Sequence, residues 1–177
     1  MACGNQPKYR KPKRRLQKMV CEKVLGKLST FNVNGKTVDY VDIDWDDAFK
    51  KIHRKITAQG RDIGIRMDDS VLTHGLTEGD VLYADDQLII AVHTPPCEMI
   101  RLTIAPDHRN QIAKACYEIG NRHAPLFAGE NDLTFLTPYN EPMLHMLSHI
   151  HGVSPQKAVL TPDFEKRISS GGHGHHH

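Results

Sequence analysis

Histidine is the residue type in this 177-residue chain best suited to chemistry: there are 12, four of them among the last five positions. His173, His175, His176 and His177 sit on the glycine-containing string Ser169-Ser170-Gly171-Gly172-His173-Gly174-His175-His176-His177. Neutral imidazoles on such a string can close around one cation without a folded scaffold, and the donor type suits Ni²⁺, Cu²⁺ and Zn²⁺. Glycines interrupt the run, whereas a purification tag is usually uninterrupted. A native metal-binding end is therefore preferred, with a tag as the alternative.

His123 closes a second candidate, Tyr117-Glu118-Ile119-Gly120-Asn121-Arg122-His123. Gly120 and Asn121 permit the left-handed turn that stops a helix, which puts His123 near a helix C-terminus, where partial negative charge favours a cation. A capping histidine is the simpler reading of the spacing alone. One imidazole does not hold a metal tightly, but a two-fold axis near His123 would bring two to one ion. A third group, His145, His149 and His151, includes an i,i+4 pair that could chelate or could be the solvated side of a helix. His53, His74, His93 and His108 stand alone and read as structural or exposed.

Catalytic patterns are missing. The chain has no HExxH, nucleophile elbow or phosphate loop. Asp42, Asp44, Asp46, Asp47, Asp68, Asp69, Asp85 and Asp86 cluster at turns and strand ends, where carboxylates cap the backbone. The expectation is a protein that is not an enzyme.

The elements that must carry these groups fall into two halves. Runs at 20–28, 38–43, 52–57, 62–67, 81–83 and 88–94 are short, β-branched or alternating. Asn34-Gly35, Gln59-Gly60, Glu78-Gly79-Asp80 and Asp85-Asp86 separate them as turns, and residues 46–51 allow one helical turn. This pattern predicts a small β-sandwich or barrel. His93-Thr94-Pro95-Pro96 then marks a boundary, because the residue before proline avoids helix. Beyond it the spacing predicts a strand over 99–104, a helix from Asp107 to about Asn121, strands over 125–127 and 133–136, a helix over 141–151 and a last strand over 158–164. That β-α-β-β-α-β order is ferredoxin-like.

The expected architecture is α+β: a disordered basic extension (1–18), an N-terminal β domain (19–96), a ferredoxin-like metal-binding domain (97–165) and a flexible His-rich tail (166–177). The formal net charge of +2 conceals a division. Residues 1–18 hold seven basic groups and no acidic one, which leaves 16 basic against 21 acidic residues and a net charge of −5 for the rest. The extension cannot bury enough apolar surface to fold. It reads either as an arm for nucleic acid or anionic membrane, or as a dispensable extension with Met19 as the natural start. Nucleic-acid binding ranks low, since the body shows neither a basic patch nor stacking aromatics at suitable spacing. The four cysteines (Cys3, Cys21, Cys97, Cys116) have no CxxC pair and read as ordinary cytosolic thiols. No apolar run approaches a membrane span, and no secretory signal opens the chain.

Gly120-Asn121-Arg122-His123 after an alanine-containing helix, Gly79-Asp80-Val81-Leu82 upstream and the opening run 20–26 together resemble the UreE family of urease accessory proteins, nickel metallochaperones. The resemblance covers about residues 19–165, with the His-rich end a looser match. It implies a β domain likened to a chaperone peptide-binding module, and a ferredoxin-like domain that dimerises through the face carrying His123. Two His123 side chains would share one Ni²⁺, with Zn²⁺ or Cu²⁺ as further candidates, and the tail would add ligands. It further implies a cytoplasmic homodimer that hands nickel to the urease apoprotein complex through an accessory GTPase. A divalent-metal buffer or storage protein without specific delivery is the alternative. The basic extension lies outside the family pattern. Some members also carry two histidines on the strand after the motif, and residues 133–139 have none, so an accessory site here would use the tail or His145, His149 and His151.

Overall fold

Period-two alternation in the first half of the chain produces two open three-stranded sheets. In this computed structural model the described residues are 19–168; the basic extension 1–18 and the segment 169–177 with its four histidines lie outside them, as do the expected disordered and flexible ends. The strands are β1 (Met19–Cys21), β2 (Thr37–Asp42), β3 (Ile52–Ile56), β4 (Asp62–Arg66), β5 (Val81–Ala84) and β6 (Leu88–His93), with a one-turn helix α1 (Val71–His74) between β4 and β5. One sheet has the order β1-β4-β3, with β1 parallel to β4; the other has the order β2-β6-β5, with β2 parallel to β6. Cys21, Ile63 and Ile65 from the first meet Val41, Ile90 and Val92 from the second in one buried cluster with Ile43, Leu76 and Leu82. Each fully buried Ile or Leu there is worth about 1.5–3 kcal/mol. The sandwich, rather than the barrel, is the form adopted.

Asp39 occupies an inward position of β2, two residues before Val41, and is 1% exposed. Its carboxylate accepts from Thr57 Oγ1 (2.6 Å), Arg61 Nη1 (2.5 Å) and the backbone N–H groups of Tyr40 (2.9 Å) and Gln59 (3.0 Å). Burial pushes its pKa up, but the hydrogen bonds from Thr57, Arg61, Gln59 and Tyr40 outweigh it and hold the group below the usual range. A satisfied buried charge ties β2 to the β3–β4 turn.

Local departures from the sequence reading have physical reasons. The first run, expected over 20–28, pairs as a strand only to Cys21. Leu25 N–H then donates to Val81 C=O and Leu28 N–H to Gly79 C=O, so this stretch crosses to the other sheet. The helical turn expected at 46–51 begins earlier, with Ala48 N–H bonded to Asp44 C=O at 3.0 Å.

The second half is β7 (Cys97–Ile104), α2 (Gln111–Gly120), β8 (Leu126–Ala128), β9 (Thr134–Pro138), α3 (Glu141–Ser148), β10 (Val153–Leu160) and β11 (Arg167–Ile168). Its antiparallel sheet has the order β10-β7-β9-β8-β11. Apart from β11 this is the strand order of a ferredoxin-like unit. Ala115 and Ile119 of α2 and Met143 and Leu147 of α3 pack with Ile100, Leu102 and Ile104 in its core. Asp107 does not cap α2 as expected; it lies in a separate 3₁₀ turn. At α3, Asn140 Oδ1 accepts from Met143 N–H at 3.1 Å, and Pro142 stands in the first turn.

The last strand of the unit spans Val153–Leu160 rather than 158–164. Pro155 within it argues against a central strand, but β10 is a sheet edge, where a missing N–H is tolerated. The chain also stays ordered past 165. Phe164 packs on Phe49 with ring centroids 5.3 Å apart, Arg167 lies 4.4 Å over the Phe49 ring, and β11 pairs with β8. Residues 166–168 therefore belong to the folded body, not to the tail. No helix among the described residues is long and apolar enough to cross a membrane.

Candidate metal site

The amphipathic α2 buries Ala115 and Ile119, and its direction is fixed by that face. At its end His123 N–H donates to Gly120 C=O (2.9 Å) and Ala124 N–H to Ile119 C=O (3.3 Å). This nested pair is a Schellman stop, which needs one residue in the left-handed conformation. That residue is His123 itself, with φ +54°, the only non-glycine with positive φ among the described residues. The left-handed turn is thus not made by Gly120 or Asn121; Gly120 is helical and Asn121 has φ −63°. A side chain held this way costs about 1–3 kcal/mol.

The result is an imidazole held out from the helix end. His123 is exposed. Its neighbour Arg122 folds back, donating from Nη1 to the Glu118 carbonyl (2.8 Å) and to Glu118 Oε2 (2.7 Å). Arg122 therefore pins the last turn and leaves His123 clear. Ala113, Tyr117 and Gly120, spaced i, i+4, i+7, share an exposed face leading to it. Tyr117 is 67% exposed, and a Cβ added at Gly120 would meet nothing within 4 Å. That stripe was readable from spacing, but the sequence reading assigned it no role.

No three metal-ligating side chains converge among the described residues. A tight site at His123 therefore needs ligands from outside the described residues of one chain, such as another copy or the segment after Ile168. The second source begins at a described residue, Ile168. β11 pairs with β8 through Arg167↔Phe127 and Ile168↔Leu126, running toward Leu126, three residues beyond His123. His173 follows Ile168 by five residues, a contour of at most about 17 Å. His173, His175, His176 and His177 themselves lie outside the described residues.

The other histidines are mostly committed locally. His53 Nε2 lies 2.8 Å from the Lys50 carbonyl, His74 Nδ1 lies 3.1 Å from the Ser70 carbonyl, and His93 Nδ1 lies 3.2 Å from Glu78 Oε2. His108 is not isolated: its ring centroid is 4.5 Å from that of His151, and its buried Nδ1 faces Asp107 Oδ1 at 3.0 Å. His145 and His149 form a further close pair.

The carboxylates do what turn residues do. Asp68 Oδ1 accepts from Ser70 N–H, and Asp85 Oδ1 accepts from Gln87 and Leu88 N–H. Asp47 sits between Lys50 and Lys55, whose hydrogen bonds lower its pKa to about 2. No acid–base pair is poised among them. Burial pushes the Cys21, Cys97 and Cys116 thiols up, which suits inert rather than nucleophilic sulfur.

Comparison with known proteins bears on both halves. Residues 21–94 match the family described as "UreE urease accessory protein, N-terminal domain", and residues 98–177 match its C-terminal counterpart. The urease accessory protein UreE of Helicobacter pylori (strain G27) is 42% identical over 151 residues, which is 85% of this chain and 86% of that protein. UreE of Acetivibrio thermocellus is 36% identical over 161 residues, covering 90% of this chain and 100% of that protein. UreE of Helicobacter acinonychis is 41% identical over 151 residues, 85% of this chain and 86% of that protein.

Proposed function

Because the chain belongs to the UreE family of urease accessory proteins and its role is in urease maturation, we propose that it is a nickel metallochaperone. Ni²⁺ is its cargo. Two copies meet along the α2 face of Ala113, Tyr117 and Gly120, and their His123 side chains hold one ion between them. His173, His175, His176 and His177 supply further imidazoles. A cytoplasmic homodimer loaded this way passes its ion to the urease apoprotein complex by way of an accessory GTPase.

The observation that carries this reading is the register of β11, which ends beside Leu126 and so starts the histidine-rich segment at the His123 end of the domain. The chemistry suits a carrier. Two or a few imidazoles at an exposed seam leave coordination positions open, so a recipient's ligands can enter before the donor's leave; a closed four-ligand cage would keep the ion. Selectivity does not come from imidazole itself, which holds Cu²⁺ more tightly than Ni²⁺. It comes from metal supply and from the docked recipient. Imidazole binds only when neutral, so affinity falls below about pH 6 as histidine crosses its reference pKa near 6.5.

The test is calorimetric Ni²⁺ titration with light scattering on the full chain, on His123→Ala and on a variant with the four terminal histidines changed to alanine. The expected result is one ion per dimer that disappears with His123, with the folded mass unchanged, and a lower total capacity without the terminal histidines. Unchanged stoichiometry when His123→Ala is combined with the terminal substitutions overturns the shared site. High capacity with no binding to the accessory GTPase would instead make the protein a divalent-metal buffer.

A further inference from the structure

His145 and His149, at the end of α3, take no part in the site described above. They are one helical turn apart and both exposed. Their ring centroids are 4.5 Å apart, with planes at 54°. An ion bound to an imidazole nitrogen at about 2.0–2.1 Å stands about 3.2 Å from that ring's centroid, so two rings meeting one ion at a right angle have centroids about 4.5 Å apart. The observed spacing is one that cis chelation can use, and exposure of both rings is what sets this pair apart from a packing pair.

Two further features prepare the pair. His149 Nδ1 lies 2.7 Å from the His145 carbonyl oxygen. With the ring proton on Nδ1, that N–H donates to the carbonyl oxygen, and Nε2 keeps its lone pair as the ligating nitrogen. Both rings also stand at the C-terminal end of the helix, where the unpaired carbonyls favour positive charge.

We propose that His145 and His149 form a bidentate site for a late first-row divalent cation, Cu²⁺ most tightly and Ni²⁺ or Zn²⁺ less so. Water or an incoming ligand fills the remaining positions, since no third ligating side chain converges there among the described residues. The site requires neither a second copy nor the terminal histidines. It also lies at the opposite pole from His123. α3 leads into Val153, which pairs with Ile104 just before the chain enters α2, and His123 follows the far end of that ten-residue helix, about 15 Å long.

His108 and His151 have the same ring separation of 4.5 Å, but they are a packing pair. The His108 ring covers Gly152 so closely that an added Cβ would come within 2.3 Å of it, and its Nδ1 is turned toward Asp107. They serve as the control.

The experiment uses the full-length chain with His123, His173, His175, His176 and His177 changed to alanine, titrated with Cu²⁺ and followed by visible absorption and electron paramagnetic resonance. One Cu²⁺ per chain with nitrogen coordination is expected. His145→Ala or His149→Ala should weaken binding at least about tenfold, because even outer-shell changes cost that much. His108→Ala should leave it unchanged, and circular dichroism should match throughout. No Cu²⁺ binding in the parent, or binding that survives His149→Ala, overturns the proposal. The proposed pair is one the His123 test leaves intact: that test reads the Ni²⁺ lost on His123→Ala with His145 and His149 present, so the two readings fail separately.

Discussion

The chain leaves α2 and α3 to return to the same sheet, and the two returns place different residues at positive φ. After α3 it is Gly152, φ +77°, beneath a histidine ring that leaves no room for a Cβ. After α2 it is His123, φ +54°, exposed and under no comparable pressure. At the first end packing dictates the residue. At the second, packing would accept glycine and the conformation would prefer it, yet an imidazole stands there. A residue that local stability disfavours and packing does not demand is best explained by what its side chain does.

The largest effect is expected from Gly152→Ala, which adds left-handed strain to a clash with His108. A loss of about 2–4 kcal/mol should appear as a lower urea midpoint. A wild-type midpoint would break the contrast, since packing would then not be decisive at either end. His123→Gly should do the opposite, raising stability by about 1 kcal/mol through relief of strain while removing the proposed shared Ni²⁺ site. Denaturation and titration on one preparation check both halves; lower stability would mean that the ring packs on something. Gly120→Ala should raise the stability of the single chain by about 0.5–1 kcal/mol, because a helical Cβ there meets open space, and should weaken self-association in sedimentation. Unweakened association would remove this face from the interface.

The smallest effect concerns acid. The His108 ring, with Nδ1 3.0 Å from Oδ1, holds the exposed Asp107 carboxyl below its usual range. A carboxyl whose folded pKa is depressed contributes fully above its unfolded value near 3.9 and loses that contribution as pH falls through the folded one. Asp107→Asn should therefore lower the melting temperature slightly at pH 5 and have no effect near pH 2. An equal effect at both would separate this residue from the α3 end.

The ferredoxin-like order and the position of His123 after α2 were legible because helix periodicity and stop signals are local. Other features were set by distant partners. The last strand was expected over 158–164, but it starts at Val153 and includes Pro155, which is tolerated because β10 is an edge. Arg167-Ile168 is too short to read as a strand, and its pairing depends on β8, some forty residues earlier. Asp39 alternates inward with Val41, but nothing nearby signals that Thr57 and Arg61 will satisfy it. The left-handed residue was misassigned because Gly120 and Asn121 are the usual choices, and only the hydrogen-bond pattern shows the stop one step later.

β11 is two residues long, yet it sets a concentration. Imidazoles tethered within about 17 to 30 Å of one anchor point, as His173 to His177 are to Ile168, are present there at roughly millimolar effective concentration, whatever the bulk value. In the proposed carrier, an ion leaving His123 would meet those imidazoles again before it met a freely diffusing acceptor at micromolar levels. Transfer by chance collision would mostly be recaptured. For such a carrier a recipient would compete only by docking, so that its own ligands reached the same local concentration, and the anchored end of the chain would make physical contact a condition of release.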